Sequence, residues 1–118
     1  MLVVPLPAEN RSTVSEIRAR TKRHIDRLDA AGQRLDVVVV DHLGKVKASD
    51  RYAGNKVHGM GEKTNALAEM AKGLGIAVVC AHQLNRRVEA RDNKRPALAD
   101  LRDSGNIEED AETVMFLH

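Results

Sequence analysis

The chain of 118 residues is long enough for one domain with a single hydrophobic core, but not for two domains. Its hydrophobic content of 42% and charged content of 31% exclude a membrane protein and a typical disordered tail. The formal net charge of +2 is too small to attract a polyanion by itself, so nucleic-acid binding would depend on local clusters of Lys and Arg.

The amino-terminal part of the chain predicts a helix and then a strand. Residues 1–7 carry no evident targeting or membrane-spanning segment. Thr13-Val14-Ser15-Glu16 has the form of a capping box, and apolar residues follow at helical spacing, which predicts a helix over about 13–30 that Gly32 ends. Val residues at 37–40 predict a strand over about 36–41 that is covered on both faces.

Asp41 ends this strand and requires an explanation. Open α/β sheets bind ligands at the carboxyl edge of their strands. An ionised carboxylate there avoids burial by pointing into a crevice, where a hydrated Mg²⁺ is a natural partner. Asp also ends strands simply to form a turn or a cap, so the strand pattern alone leaves both interpretations open.

The middle of the chain predicts a long basic loop over 42–58 and a helix over about 60–73. Leu67 and Met70 lie on the apolar face of this helix, and Gly75 is available to end it. Residues 54–64 resemble a phosphate-binding P-loop at first sight. That interpretation is rejected because Met60 stands where a Lys must follow the second Gly, and because no buried strand precedes the segment.

Residues 76–81 predict a second buried strand. Cys80, the only cysteine, would be a small buried hydrophobe there, which fits a reducing, cytoplasmic compartment. His82 and Gln83 follow the strand and would emerge at the same sheet edge as Asp41. A neutral amide donates to a phosphate oxygen without holding it tightly, which suits a residue that senses a terminal phosphate; alternatively, Gln83 simply begins a loop.

Residues 82–106 are polar and irregular, and two features within them indicate phosphate binding. The first is a cluster of cations, which is typical either of phosphate contacts or of a solvated face: Arg86, Arg87, Arg91, Lys94 and Arg95. Aromatic residues are absent from this cluster, which argues against base stacking. The second is Gly105, where exposed amides beside Arg102 could form an anion-binding nest, although Asn106 could equally begin a helix over 106–111.

The elements together predict an α/β fold. Residues 113–117 predict a third strand, and the order of helices and strands is typical of a parallel sheet with right-handed crossovers. A sheet of three strands is small, and its last strand has no covering helix after it. The chain is therefore expected to be part of something larger.

Several blocks of the sequence resemble the DnaB-type replicative DNA helicase family. The blocks lie at residues 13–20, 37–43, 81–86, 94–96 and 100–111, and the last is the most specific. The resemblance implies a RecA-like motor domain, which this chain would represent in part over residues 1–118. It implies a ring-shaped homo-hexamer that hydrolyses ATP with Mg²⁺, moves along single-stranded DNA and unwinds the duplex. Primase and a helicase loader are the implied partners, and no membrane is involved.

The resemblance also implies roles for individual residues. Asp41 matches the Walker B acid that holds Mg²⁺ through water, and Gln83 matches the residue that senses the γ-phosphate. Arg102, Asp103 and Gly105 match the loop that grips the DNA backbone. Apart from the resemblance, the cationic cluster is expected to add DNA contacts through four of its members: Arg86, Arg87, Lys94 and Arg95.

The sequence departs from the family pattern at several points, which limits the family roles that can be assigned to its residues. The family usually has Gln where Gly44 stands and often Ser where His82 stands. The sequence also lacks the P-loop, the glutamate that activates water and the arginine finger, so the chain alone is expected to be a poor ATPase. In the sheet of this fold the P-loop strand normally lies beside and between the second and third predicted strands. Its absence would leave a gap there. The alternatives are another RecA-like ATPase, such as a recombinase or a clock-type ATPase, and a non-enzymatic nucleic-acid-binding module.

Overall fold

The computed structural model describes residues 12–49, 56–104 and 107–117. Within them the regular elements are α1 (Val14–Ala30), β1 (Val37–Val40), α2 (Lys56–Leu74), β2 (Ala77–Cys80) and α3 (Ile107–Asp110). Shorter 3₁₀ segments lie at Leu43–Lys45, Arg86–Val88 and Leu98–Ser104. The two strands are parallel, with Val37 opposite Ala77 and Val40 opposite Cys80. The predicted α/β order and the parallel pairing are thus confirmed.

Helix α1 begins and ends as the sequence predicts. The Thr13 side chain accepts a hydrogen bond from the Glu16 backbone N–H at 3.3 Å, and the Glu16 carboxylate accepts one from the Thr13 N–H at 3.2 Å. This capping box satisfies amides that have no partner within the helix. Gly32 has a φ of +72° just after the helix, in the left-handed conformation that suits glycine.

Helix α2 forms the centre of the core. Met70 is completely buried and Leu67 is 3% exposed, as the predicted apolar face requires. The helix packs against α1, β2, α3 and the 98–104 segment. It begins at Lys56, earlier than predicted, so the last residues of the expected loop, 56–58, belong to the helix. No helix in the described ranges is long and apolar enough to cross a membrane.

The segment after β1 is also more ordered than predicted. Val46 is 5% exposed, and the Lys47 N–H donates a 2.9 Å hydrogen bond to the Ser12 carbonyl. The Ser49 N–H donates to the Glu62 carboxylate on α2 at 3.2 Å. The first part of the predicted loop is therefore tied to the amino end of α1 and to α2.

The expectation of strands covered on both faces is wrong. Val38 and Val78 pack against the core on one face, whereas Val39 on the other face is 67% exposed and Val79 is 43% exposed. Cys80 is exposed, not buried as predicted. The physical reason for the exposure of Val39 and Val79 is that the described helices cover only one side of this narrow sheet, whereas Cys80 lies on the core-facing side but at the last position of its strand.

The predicted third strand is likewise wrong for the described residues. Residues 113–117 are not paired with β1 or β2. Their side chains nevertheless alternate as in a strand: Val114 and Phe116 pack against the core, while Met115 is 78% exposed and Leu117 is 94% exposed. A strand needs a partner for its backbone groups, and within the described structure no strand pairs with this segment.

Candidate functional site

The carboxyl ends of β1 and β2 lie together because the strands are parallel and in register. Pairing continues past the last strand residues: the Ala81 N–H donates to the Val40 carbonyl at 2.9 Å, and the Leu43 N–H donates to the Ala81 carbonyl at 3.0 Å. Asp41 therefore stands beside Ala81 at this edge, and its side chain is exposed. A carboxylate at the carboxyl edge of a parallel sheet occupies the position where α/β proteins bind ligands.

The turn after Asp41 depends on His42 and Gly44. The Nδ1 atom of His42 accepts a hydrogen bond from the Gly44 N–H at 3.1 Å, which caps the 3₁₀ segment Leu43–Lys45. A Cβ at Gly44 would lie 2.9 Å from the imidazole Cε1 of His42. The imidazole can lie there only because residue 44 has no side chain. Leu43 is 2% exposed, so the turn is anchored to the core next to Asp41.

His82 and Gln83 lie on the same edge as Asp41. The His82 side chain is half-buried, and the pKa of His82 is lowered, first by this burial and then by repulsion from His42 and Lys63. The imidazole is therefore neutral at neutral pH. Gln83 is exposed immediately after it, which leaves its amide accessible to a ligand at the edge. The structure thus brings the sequence-predicted Asp41 and Gln83 to one rim of the sheet.

The segment that superficially resembles a P-loop is helical where it is described. Residues 56–64 belong to α2, and Lys63 and Thr64 lie within that helix rather than in a phosphate-binding turn. The Thr64 hydroxyl is directed at the Gly61 carbonyl, at 3.1 Å, and at the Asp110 carboxylate on α3. The rejection of a P-loop at this position agrees with the described geometry.

The basic segment contains cations in different situations. All five are exposed: Arg86, Arg87, Arg91, Lys94 and Arg95. Asn85 caps the 3₁₀ turn that carries the first two, through a hydrogen bond from the Arg87 N–H to its side chain at 3.1 Å. Val88 at the end of this turn is 7% exposed and anchors it. The exposed cations therefore project from a segment that is held in place.

Arg91 differs from its neighbours. Its Nη2 atom lies 2.8 Å from Oδ2 of Asp100, whose side chain is 9% exposed. Sequence reasoning placed Arg91 in the cationic cluster and assigned no role to this Asp, because charges nine positions apart in an irregular segment give no periodic signal. An acid three residues after Ala97, the residue that precedes the helical segment, is the one cue that could have indicated Asp100.

The predicted DNA-binding turn is described in part. The backbone of Arg102 and Asp103 belongs to the 3₁₀ segment Leu98–Ser104, while their side chains and the whole of Gly105 lie outside the described part of the chain. Leu101 is 5% exposed on one side of the turn and Ile107 is 9% exposed on the other. Both ends of the turn are therefore fixed to the core.

The described side chains offer no multidentate metal centre. Within residues 12–49, 56–104 and 107–117, no three His, Cys, Asp or Glu side chains are grouped so that they could hold a metal ion. A single exposed carboxylate at Asp41 fits a cation that retains most of its water, as Mg²⁺ does.

Comparison with known proteins agrees with this geometry. Residues 4–118 match the family described as DnaB-like helicase C terminal domain. The replicative DNA helicase DnaB of Rickettsia bellii is 40% identical over 106 residues, which is 90% of this chain and 20% of that protein. A probable plasmid replicative DNA helicase of Chlamydia psittaci is 44% identical over 86 residues, covering 73% of this chain and 19% of that protein.

A solved structure shares the fold. A DnaB-like replicative helicase, whose structure concerns its interactions with primase, superposes with a TM-score of 0.74 at 31% identity. The match covers 85% of this chain and 23% of the solved chain. The partial RecA-like fold expected from the sequence is confirmed, and the chain spans about a fifth of the length of the curated relatives.

Proposed function

We propose that this chain, which belongs to the DnaB-like helicase C-terminal domain family, forms part of a replicative helicase motor that couples ATP hydrolysis to movement along single-stranded DNA. The observation that carries the proposal is the match of residues 4–118 to the family, together with the parallel register that brings Asp41 and Gln83 to one sheet edge. The matched family and the relatives described above are replicative helicases, which favours this function over a recombinase or a clock-type ATPase.

The nucleotide-facing edge supplies two groups in this proposal. The exposed carboxylate of Asp41 would hold the water shell of Mg²⁺, which neutralises charge on the nucleotide phosphates when it is bound. The exposed amide of Gln83 would donate to the terminal phosphate and so report whether it is present. His82 is neutral beside it, and therefore adds no full charge to this edge at neutral pH.

The DNA-facing part is the turn that begins at the 3₁₀ segment Leu98–Ser104. Arg102, Asp103 and Gly105 would grip the sugar-phosphate backbone, with Arg102 as the cation. Arg86, Arg87, Lys94 and Arg95 would add phosphate contacts, because all four are exposed on one continuous segment. Binding would be insensitive to base sequence, since phosphate contacts do not distinguish bases.

The assembly and partners follow from family membership and are part of the proposal. A homo-hexameric ring would surround the DNA strand in the intact protein. Primase is a partner of the solved DnaB-like helicase, and we extend it, with a helicase loader, to the protein to which this segment corresponds.

DNA binding tests the proposal directly. We expect Arg102→Ala to weaken binding of the 118-residue chain to single-stranded oligonucleotides to a similar extent for all sequences, and to reduce the salt slope by about one. Arg23→Ala, at an exposed position on α1, is the matched control and should change neither quantity. A loss confined to one base sequence, or no loss at all, would contradict the assignment of Arg102.

ATP turnover tests the proposed nucleotide site and the role of Asp41 in it. We expect little turnover from this chain, and turnover after fusion to an amino-terminal segment that carries a P-loop strand. In the fused protein Asp41→Asn should abolish turnover, whereas Asp36→Asn, at an exposed position before β1, should not. Robust turnover by the 118-residue chain itself would show that the missing parts have been misidentified.

A further inference from the structure

His42 follows Asp41 at the carboxyl end of β1, and the two nitrogen atoms of its imidazole have different surroundings. We propose that His42 is a phosphate-binding residue: Nδ1 fixes the ring to the turn at Gly44, and Nε2–H donates a hydrogen bond to a phosphate oxygen of the nucleotide. The inference rests on the proposed function, because it adds a donor to the nucleotide-facing edge. It places a third group there, beside Asp41 and Gln83.

The backbone engages one nitrogen of the His42 ring. The Gly44 N–H donates to Nδ1 at 3.1 Å, so that His42 caps the 3₁₀ segment Leu43–Lys45. Leu43 is 2% exposed, and its N–H donates to the Ala81 carbonyl at 3.0 Å, which ties this turn to the end of β2. The ring is therefore held in place relative to the ends of both strands.

The hydrogen bond at Nδ1 determines which nitrogen of the neutral ring carries the proton. A ring nitrogen that accepts a hydrogen bond has no proton of its own, so the proton is on Nε2. Nε2 of His42 has no hydrogen-bond partner among the described residues, and it is not a buried atom. An N–H donor without a full charge is thus accessible to a ligand at this edge.

Gly44 provides the space in which the ring lies. A Cβ at residue 44 would stand 2.9 Å from Cε1 and 3.0 Å from Nδ1 of His42, which is closer than such atoms normally approach. A side chain at this position would therefore displace the imidazole from the turn. The position of Nε2 depends on both residues, so a substitution at either one can test it.

The His42 imidazole lies near the end of β2 as well as β1. Repulsion from His42 is one of the effects, after burial, that lower the pKa of His82, so the two rings are neighbours across the strand ends. Gln83 follows His82 and is exposed. A phosphate group at this rim can therefore accept from Nε2–H of His42 on the β1 side and from the Gln83 amide on the β2 side.

The alternative is that His42 serves only as a cap. Asn, Asp, Ser and Thr are the side chains that usually cap such turns, and each would accept from the Gly44 N–H without a bulky ring. An imidazole uses one nitrogen for the cap and keeps a second donor that the cap does not need. His42→Asn separates the two roles, because Asn can still accept from the Gly44 N–H but lacks the donor at Nε2.

Nuclear magnetic resonance of the 118-residue chain at a fixed, mildly alkaline pH tests the inference. The probe is inorganic pyrophosphate in the presence of Mg²⁺, and the backbone amides of residues 41–44 and 82–84 report its binding. We expect the ¹⁵N shifts of His42 to show the Nε2–H form before the probe is added, and the Nε2 signal to move as it binds. Another form of the ring, or a signal that does not respond to pyrophosphate, overturns the inference.

The affinity of the variants for pyrophosphate separates the donor from the cap. We expect His42→Asn to weaken binding by about three- to tenfold, the range for loss of one hydrogen bond, and to leave hydrogen exchange of the amides at 43–46 unchanged. Equal affinity overturns the inference. Weaker binding that occurs only together with faster exchange of these amides would show that His42 is a cap and not a phosphate donor.

His24→Asn is the matched control for the loss of an imidazole. His24 lies in the second half of α1, and the amino end of this helix is the end that meets Lys47, so His24 is remote from the proposed phosphate site. We expect this substitution to leave the affinity for pyrophosphate unchanged. Weakening equal to that of His42→Asn would show that the effect does not come from the sheet edge, and would contradict the inference.

Gly44→Ala moves the ring without changing its chemistry. The imidazole is the end of a side chain that can rotate away, so the substitution should displace it at little cost in stability. We expect pyrophosphate binding to weaken about as much as in His42→Asn, and the double variant to bind no more weakly than either single variant, because both changes remove the same contact. Unchanged affinity in Gly44→Ala contradicts the inference.

The two proposals fail in distinguishable ways. If Asp41→Asn leaves turnover by the fused protein intact while His42 responds to pyrophosphate, the proposed nucleotide site fails although His42 binds phosphate. If Asp41→Asn abolishes turnover while His42→Asn leaves the affinity for pyrophosphate unchanged, the proposed function stands and only the role of His42 is wrong.

Discussion

Thr64 on α2 and Asp110 on α3 are 46 positions apart in sequence and are joined by a hydrogen bond from the Thr64 hydroxyl to the Asp110 carboxylate. Thr64 is 8% exposed, so the α2 end of this hydrogen bond is shielded from water. Helix α3 follows directly after the proposed DNA-binding turn and is short, so it depends on such contacts for its position. Together with the Arg91–Asp100 pair, this bond fixes the turn on both sides.

We expect Thr64→Val to lower the free energy of unfolding by about 1–3 kcal/mol, because it removes a hydrogen bond to a charged acceptor with little change in volume. Urea denaturation measures this loss, and hydrogen exchange should show faster opening of α3. Thr113→Val, at an exposed position, is the control and should change stability by less than about 0.5 kcal/mol. Equal effects of the two substitutions would show that the buried bond contributes nothing.

Met70 provides the test of the core. It is completely buried at the centre of α2, so Met70→Ala removes buried apolar surface and leaves a cavity. We expect a loss of about 2–5 kcal/mol in the free energy of unfolding. Met115→Ala makes the same chemical change at a side chain that is 78% exposed, and its effect should stay within about 0.5 kcal/mol. Similar losses for the two would mean that the packing of α2 has been misassigned.

The regular elements could be predicted because local rules determine them. The capping box at Thr13 and the apolar spacing that buries Leu67 and Met70 both follow from helical geometry, and the structure has both. The position of Asp41 at the carboxyl end of β1 could also be predicted, since a run of Val that ends in an acid indicates where a strand ends. Such features need no knowledge of distant contacts.

The predictions that were wrong concern burial and strand pairing, which depend on neighbouring elements of the fold. Val39 and Val79 have the composition of buried strand residues, but burial depends on whether a helix covers that face, and the sequence of the strand does not encode this. Residues 113–117 alternate correctly but lack a paired strand in the described structure. The Arg91–Asp100 pair escaped notice for a related reason, because it joins irregular segments that have no period.

Two glycines at the end of α2, Gly73 and Gly75, should respond to substitution by Ala with opposite changes in stability. Gly75 has a φ of +64°, which costs an ordinary residue about 1–2 kcal/mol, so Gly75→Ala should destabilise the protein by that amount. Gly75→Asn should cost less, because Asn tolerates the left-handed conformation. Gly73 lies inside the helix, where Ala is favoured by up to about 1 kcal/mol. Its Cβ would approach only the flexible end of Arg18, 3.1 Å away.

Thermal or urea denaturation of the three glycine variants measures these differences. Gly73→Ala should be neutral or stabilising and Gly75→Ala destabilising. Destabilisation by Gly73→Ala greater than that by Gly75→Ala would contradict the assignment of the helix end at Leu74.

The pH dependence of stability should carry a contribution from His82. Burial, and then repulsion from His42 and Lys63, lowers the pKa of His82 below the ordinary value of 6.5. Between the lowered value and 6.5 the unfolded chain binds more protons than the folded chain, so stability rises with pH across this window. The stability is fully present above pH 6.5 and is lost progressively as the pH falls through the folded-state pKa.

Two variants isolate this contribution. His82→Ser removes the imidazole, so the free energy of unfolding should fall less between pH 7.5 and pH 5.5 than it does in the unsubstituted chain. Lys63→Gln removes one of the repelling charges, which should raise the pKa of His82 and reduce the fall in part. Urea denaturation at both pH values gives the comparison. If His82→Ser loses as much stability on acidification as the unsubstituted chain, the half-buried imidazole is not the group that titrates.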